Sequence, residues 1–139
     1  MKFVNTLLLA MTLIAGSLTA PALAGDTDPL FVNMTTEDAH RASMAITFGK
    51  AQMERGHPLT IFLNDKGVLV GAKGNAAKYE EQQKMLSEIM SKGGVVIACP
   101  MCMKHYGVAE ADLLPGIQVG KPELTGAALF KDDSKTMSW

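Results

Sequence analysis

The chain has 139 residues, with 13 lysines and arginines against 14 aspartates and glutamates, and 47% of it is hydrophobic. That length holds one domain; the apolar content excludes a disordered chain, and the near balance of charge excludes a polyanion-binding surface, so no nucleic-acid partner is expected. Two cysteines cannot build a disulfide scaffold, and no apolar run reaches the roughly 18–20 residues of a membrane span, so no membrane insertion is expected either.

The first 24 residues have the pattern of a secretory leader. Lys2 is the only charge before Asp26, Val4 to Ile14 is mostly apolar around Leu7-Leu8-Leu9, and Ala22-Leu23-Ala24 is a small-x-small ending. Cleavage after Ala24 is expected. Residues 25–139 then form a single mature domain, exported to the periplasm and freely soluble, because no lipobox cysteine precedes the cleavage point.

Short apolar runs alternate with helical stretches along the mature chain. Leu30 to Met34 reads as a strand, and Thr35 or Thr36 as the cap of a helix with Glu37 and Asp38 in its first turn. Ala42, Ala45, Ile46, Gly49 and Met53 recur at helical spacing, and Gly56 stops that helix. Leu59 to Leu63 is a second strand, Asn64 to Gly67 a turn, Val68 to Val70 a short extension, and Ala72 to Asn75 a loop. Ala76 to Lys92 is the clearest helix, with Tyr79, Leu86, Ile89 and Met90 on one face and Glu80–Lys84 and Glu88–Lys92 spaced as ion pairs.

Gly93-Gly94 ends it. Val95 to Ala98 is an uninterrupted apolar run, as expected of a strand buried on both faces. A short helix starts within Pro100–Met103 and ends at Gly107, and Ala109 to Leu114 forms a further turn. Ile117 to Val119 is a strand, Pro122 opens a helix to about Phe130, and Lys135 to Trp139 is a last strand. The alternation predicts an α/β fold: a parallel or mostly parallel sheet of about five strands with helices on both faces.

Both cysteines fall in Ile97-Ala98-Cys99-Pro100-Met101-Cys102-Met103-Lys104-His105-Tyr106-Gly107, where the best strand turns into a helix. Ligands and chemistry gather at the carboxyl ends of strands in open α/β sheets. A helix N-terminus stabilises a thiolate, and Lys104 and His105 bring positive charge to the segment.

Four readings compete. One is a structural disulfide or two buried thiols, although a Cys-x-x-Cys loop is worth only about 2 kcal/mol in the chain-entropy model. The second is a thiol-disulfide oxidoreductase, although that motif normally follows the first strand of its βαβ unit. The third is a Cu(I) site drawn from the soft or borderline ligands Cys99, Met101, Cys102, Met103 and His105. Zinc lacks the second cysteine pair of its usual site. The fourth is sulfur transfer through a persulfide. A binding module for a partner protein, with no chemistry of its own, stands beside these, and the placement of His105 relative to Cys102 is the feature that separates them.

Other residues have plainer readings. His40 and His57 read as solvated, and Met44, Met53, Met85 and Met90 as core filler on helices. Gly67, Gly71 and Gly74 form no phosphate-binding pattern, and no cofactor is expected. Asn33 and Thr35 end the first strand on the same edge as Cys99, where they cap the helix or line a shared pocket.

The mature chain resembles the DsrE/DsrF-like family of small sulfur-relay proteins, especially its secreted, periplasmic branch with a Cys-Pro-Met-Cys motif. The resemblance rests on the order of elements, on Gly56-His57-Pro58 leading into Leu59, on Ala98-Cys99-Pro100-Met101-Cys102, on Asp112-Leu113-Leu114-Pro115-Gly116, and on Ala127-Ala128-Leu129-Phe130. In relay members an acceptor cysteine follows a buried strand and a glycine comes eight residues later; Cys99 and Gly107 match that spacing, and Cys102 departs from it. The resemblance implies a flavodoxin-like three-layer sandwich, a homo-oligomer (trimer or hexamer), and partners that are sulfur donor and acceptor proteins or small sulfane-sulfur compounds. It implies Cys99 as the acceptor, with Cys102 able to resolve a persulfide or close a disulfide.

Overall fold

The computed structural model describes residues 25–139; the leader read over 1–24 lies outside the described residues. Five strands form one sheet: β1 (Leu30–Met34), β2 (Leu59–Leu63), β3 (Val95–Ala98), β4 (Gln118–Val119) and β5 (Lys135–Ser138), in the order β4-β3-β2-β1-β5. Every neighbouring pair is parallel. The helices between them are α1 (Ala39–Glu54), α2 (Ala76–Ser91), α3 (Pro100–Tyr106) and α4 (Pro122–Leu129).

Handedness places the layers. The first three crossovers all step the same way, so right-handed connections put their helices on one face; the last steps back past β1 and puts α4 on the other. Leu30, Val32, Met34, Leu59, Ile61, Leu63, Val96 and Ala98 form one core with Ala42, Ala45 and Ile46 of α1 and Leu86 and Ile89 of α2. On the opposite face Thr60, Val95 and Ile97 share a groove with Leu124, Ala127 and Ala128 of α4. The three-layer α/β sandwich expected from the alternation is the observed fold, with the sheet wholly parallel.

Three local expectations are corrected. The cap of α1 is Asp38, whose carboxylate accepts the Arg41 N–H at 2.8 Å. Thr35 instead donates its N–H and hydroxyl to the carbonyl of Trp139, at 2.7 and 2.6 Å, which ties β5 to the sheet. Glu37 lies outside the helix: its carbonyl accepts the Tyr79 hydroxyl and its carboxylate pairs with Lys66 and Lys78. Val68 to Val70 is not extended, because Asp65–Leu69 forms a 3₁₀ turn that buries Val68 and Val70 completely. Three β-branched or apolar residues are too few to hold a strand when burial against the end of the sheet is available.

The helix Ala76–Ser91 forms as expected but is non-helical at Tyr79 (φ −129°, ψ 24°), where the buried ring reaches Glu37. Its buried face also holds Gln82 and Gln83. Gln82 donates to Ala39 O and Ser43 Oγ, and Gln83 to Val70 O and Ala72 O, so the buried amides satisfy backbone carbonyls of loop and helix ends.

Of the two expected ion pairs on this helix, Glu88–Lys92 forms at 2.8 Å; Glu80 and Lys84 make none among the described residues. Glu88 also meets Lys50 of α1 at 2.7 Å, and the Lys50 and Lys92 ammonium groups hold its carboxyl down to about 2. The folded protein therefore binds this proton less readily than the unfolded chain. The contribution to stability is complete above the ordinary glutamate range and is lost as pH falls through it toward about 2. Glu88→Gln is expected to flatten this part of the acid dependence. Urea midpoints of both proteins at about pH 6 and about pH 3 check it, and the gap should narrow in high salt because the pair is solvent-exposed. An unchanged acid dependence in the variant would refute the pairing.

Candidate functional site

The site is built where β3 ends. Cys99 continues the ladder by donating its N–H to Leu63 O at 2.9 Å, then serves as the cap of α3, with Pro100 in the first turn where its missing N–H costs nothing. Cys99 Sγ accepts the Cys102 N–H at 3.4 Å. Gly107 ends the helix in the left-handed conformation (φ 70°), which explains the glycine at that place. The capping geometry makes Cys102 face back toward Cys99, and the two sulfurs lie 2.6 Å apart, roughly 0.6 Å beyond an S–S bond.

Cys99 is 6% exposed, whereas Cys102 is half-buried and the more open of the two. Cys102 also touches the turn that follows β2. Its sulfur lies 3.2 Å from Asn64 Oδ1 and accepts the Asp65 N–H at 3.1 Å. Burial, followed by the hydrogen bond shared with Cys99, pushes the Cys102 thiol up to about 11, against the opposing pull of the Asp65 N–H. The Cys102 thiol carries one proton, and Asn64 Oδ1 at 3.2 Å and Cys99 Sγ at 2.6 Å both lie within its reach, while Cys99 Sγ accepts the Cys102 N–H. Asp65 in turn accepts the Tyr106 hydroxyl at 2.5 Å, and this carboxylate raises the tyrosine to about 12.

The structure brings together only some of the residues singled out from sequence. Cys99 and Cys102 converge. Lys104 and His105 lie in the last turn of α3, both exposed; His105 packs edge-on against Tyr106 at 4.7 Å. Among the described residues neither hydrogen-bonds a cysteine. Basic groups at that end complement the helix dipole at its C-terminus rather than the sulfurs at its start. Met101 is 79% exposed and Met103 is 5% exposed within the core. Two residues apart on a helix means opposite sides, so the five soft ligands do not face one centre. His40 is exposed, and His57 lies on the strands' amino-terminal side, bonded to Asp28 O at 2.8 Å.

Asn64, Asp65 and Tyr106 are neighbours of the cysteine pair that the sequence reading missed. Asn64 and Asp65 were available as the residues that end β2 on the carboxyl edge beside β3. Asn33 reaches the same network, since its Oδ1 accepts the Asn64 amide at 3.3 Å. Its place on the cysteine edge was legible; the link through Asn64 was not.

The model of the DsrE/DsrF-like family matches residues 30–133. The chain belongs to the DsrE/DsrF-like family. An uncharacterized protein of Methanopyrus kandleri, MK0008, is 31% identical over 80 residues, which is 57% of this chain and 66% of that one. An uncharacterized protein of Methanocaldococcus jannaschii, MJ0989, is likewise 31% identical over 80 residues and matched over 70% of its length. The chain thus matches about two thirds of each curated relative.

Among solved structures, the ychN protein from E. coli superposes with a TM-score of 0.65 at 18% identity, over 81% of this chain and 99% of that one. A protein of unknown function from Methanobacterium thermoautotrophicum, MTH1491, gives 0.66 at 16% identity, over 80% and 98%. These neighbours share the DsrE-like, flavodoxin-like fold, as the resemblance in the sequence implied. Among the described residues no helix is long and apolar enough to cross a membrane.

Proposed function

We propose that this DsrE/DsrF-like protein binds and transfers sulfur, carrying a persulfide on Cys99 with Cys102 as the resolving thiol. The observation that supports this best is the pair itself: the Cys99 and Cys102 sulfurs lie 2.6 Å apart at the end of β3. Loading exchanges one sulfur. The Cys99 thiolate attacks the outer sulfur of a donor R–S–SH, the donor S–S bond breaks, and Cys99–S–SH and the thiolate R–S⁻ result. Transfer to an acceptor thiol is the same exchange in reverse. Because Cys99 is only 6% exposed, the donor is a small sulfane-sulfur compound or a persulfide presented on a slender segment of a partner protein.

A second reading, a dithiol that cycles to a Cys99–Cys102 disulfide, is favoured by the same 2.6 Å separation. The Lys2 leader and its Ala-Leu-Ala ending support a periplasmic site of action, where disulfides persist. Family resemblance supports a homo-oligomer.

The test is intact-mass measurement of reduced protein before and after treatment with a low-molecular-weight persulfide, then with an acceptor thiol. A gain of one sulfur that the thiol removes is expected. A protein that loses two hydrogens, and whose Cys102→Ser variant gains no sulfur, would leave the redox reading in its place.

A further inference from the structure

Asp65 is gripped at both ends by one face of α3. Its backbone N–H donates to Cys102 Sγ at 3.1 Å, and its carboxylate accepts the hydroxyl of Tyr106, one helical turn further on, at 2.5 Å. Its φ of 45° lies in the left-handed region, where a residue with a side chain is strained unless its surroundings hold it. The preceding residue completes the grip: Asn64 Oδ1 lies 3.2 Å from Cys102 Sγ, and Asn64 is itself steadied by Asn33 at 3.3 Å. The turn is held in an unfavourable conformation with Asn64 Oδ1, which also accepts the Asp65 N–H at 2.9 Å, and the Asp65 carboxylate both facing α3, an arrangement that holds the side chains of that helix in place.

We propose that Asn64 and Asp65 are positioning residues that hold the Cys102 sulfur against Cys99 and so set how fast sulfur carried on Cys99 is discharged. The chemistry rests on the persulfide reading; the geometry does not. In discharge the Cys102 sulfur attacks Cys99 Sγ and forms the Cys99–Cys102 bond. The bond from Cys99 to the carried sulfur breaks, and that sulfur leaves with both its own proton and the Cys102 proton as hydrogen sulfide. The carried sulfur is reduced and the two cysteine sulfurs are oxidised, so no outside oxidant enters. Attack requires a lone pair of Cys102 to face Cys99. Asn64 Oδ1 offers the single Cys102 proton an acceptor away from Cys99, which turns a lone pair toward it. The Asp65 N–H fixes the sulfur's position, and proximity then supplies the rate.

The experiment compares wild type with Asn64→Ala, Tyr106→Phe and Asp65→Gly, the last keeping the left-handed backbone and its N–H while removing the carboxylate. Two rates are read. One is closure of the reduced cysteine pair by diamide, a two-electron oxidant that itself becomes a hydrazine. The other is hydrogen sulfide release after loading with a low-molecular-weight persulfide. Closure and release are expected to slow by about tenfold or more in Asn64→Ala and by several-fold in the other two, with the extent of loading on Cys99 unchanged. A merely structural role would lower loading and closure together. Closure at the wild-type rate in all three variants overturns the proposal, and so does a common loss of loading and closure in Tyr106→Phe. If the wild type takes up no sulfur, the proposed function fails while the diamide rates still decide the positioning role.

Discussion

Cys99→Ser is expected to abolish sulfur uptake, by at least about a hundredfold against wild type, whereas Cys102→Ser is expected to load fully and keep its sulfur. Cys99 ends β3 at the acceptor position that the family resemblance implies, and its sulfur accepts the Cys102 N–H at the start of α3. A serine hydroxyl at that place caps the helix as well as a thiol does but is a far poorer nucleophile at neutral pH. At position 102 a serine hydroxyl still has Asn64 Oδ1 as an acceptor, so the turn stays in place, but it cannot form the second S–S bond. The persulfide is then trapped. Mass spectrometry of both variants after persulfide treatment, with site mapping by peptide digestion, reads the outcome directly. Equal loading of the two variants would refute the division of roles.

The largest effect on stability is expected at a residue with no functional group. Gly67→Ala would place its new Cβ 2.1 Å from Met34 O and 3.0 Å from Met34 C. Both are backbone atoms at the end of β1, which is hydrogen-bonded to β2 and β5 and cannot swing aside like a side chain. The 3₁₀ turn must therefore lift off the sheet, which strains its Gly67 N–H to Asn64 O bond and draws Val68 and Val70 out of the core. Overpacking of this kind costs about 3 kcal/mol or more, a loss of roughly 10 °C or more in melting temperature for a domain of this size. Gly74→Ala, where a Cβ meets nothing within 4 Å, is the control and should melt close to wild type. Because the displaced turn carries Asn64 and Asp65, closure of the cysteine pair should slow in Gly67→Ala at temperatures where it remains folded. A melting temperature within about 2 °C of wild type would overturn the steric argument.

Where sequence reading succeeded, the controlling information was local. The run Val95 to Ala98 has no polar residue to expose, so it forms a strand buried within the sheet. Pro100 and Gly107 bracket α3 because one lacks an N–H and the other accepts φ 70°. Those short-range constraints put Cys99 at the end of a buried strand and Cys102 one turn into a helix, which fixes the distance class of the two sulfurs before any long-range contact is known.

What only tertiary structure decided has a common cause, which is that the partner lies far along the chain. Asn64 and Asp65 meet Cys102 across 38 and 37 residues, and nothing in a turn sequence announces that its amide and N–H will point at a sulfur. Tyr79 bends α2 because its hydroxyl finds Glu37 O, 42 residues away, and helix periodicity carries no trace of that bond. Val68 and Val70 gave up the extended form their β-branched side chains favour because the end of the sheet offered complete burial to a tighter turn. The segment around the cysteines by itself brought the two sulfurs together; docking of the turn after β2 on α3 decided that Met101, Met103, Lys104 and His105 stand apart from them and that Asn64, Asp65 and Tyr106 stand beside them, because strand order and helix rotation, not sequence proximity, choose which side chains share a surface.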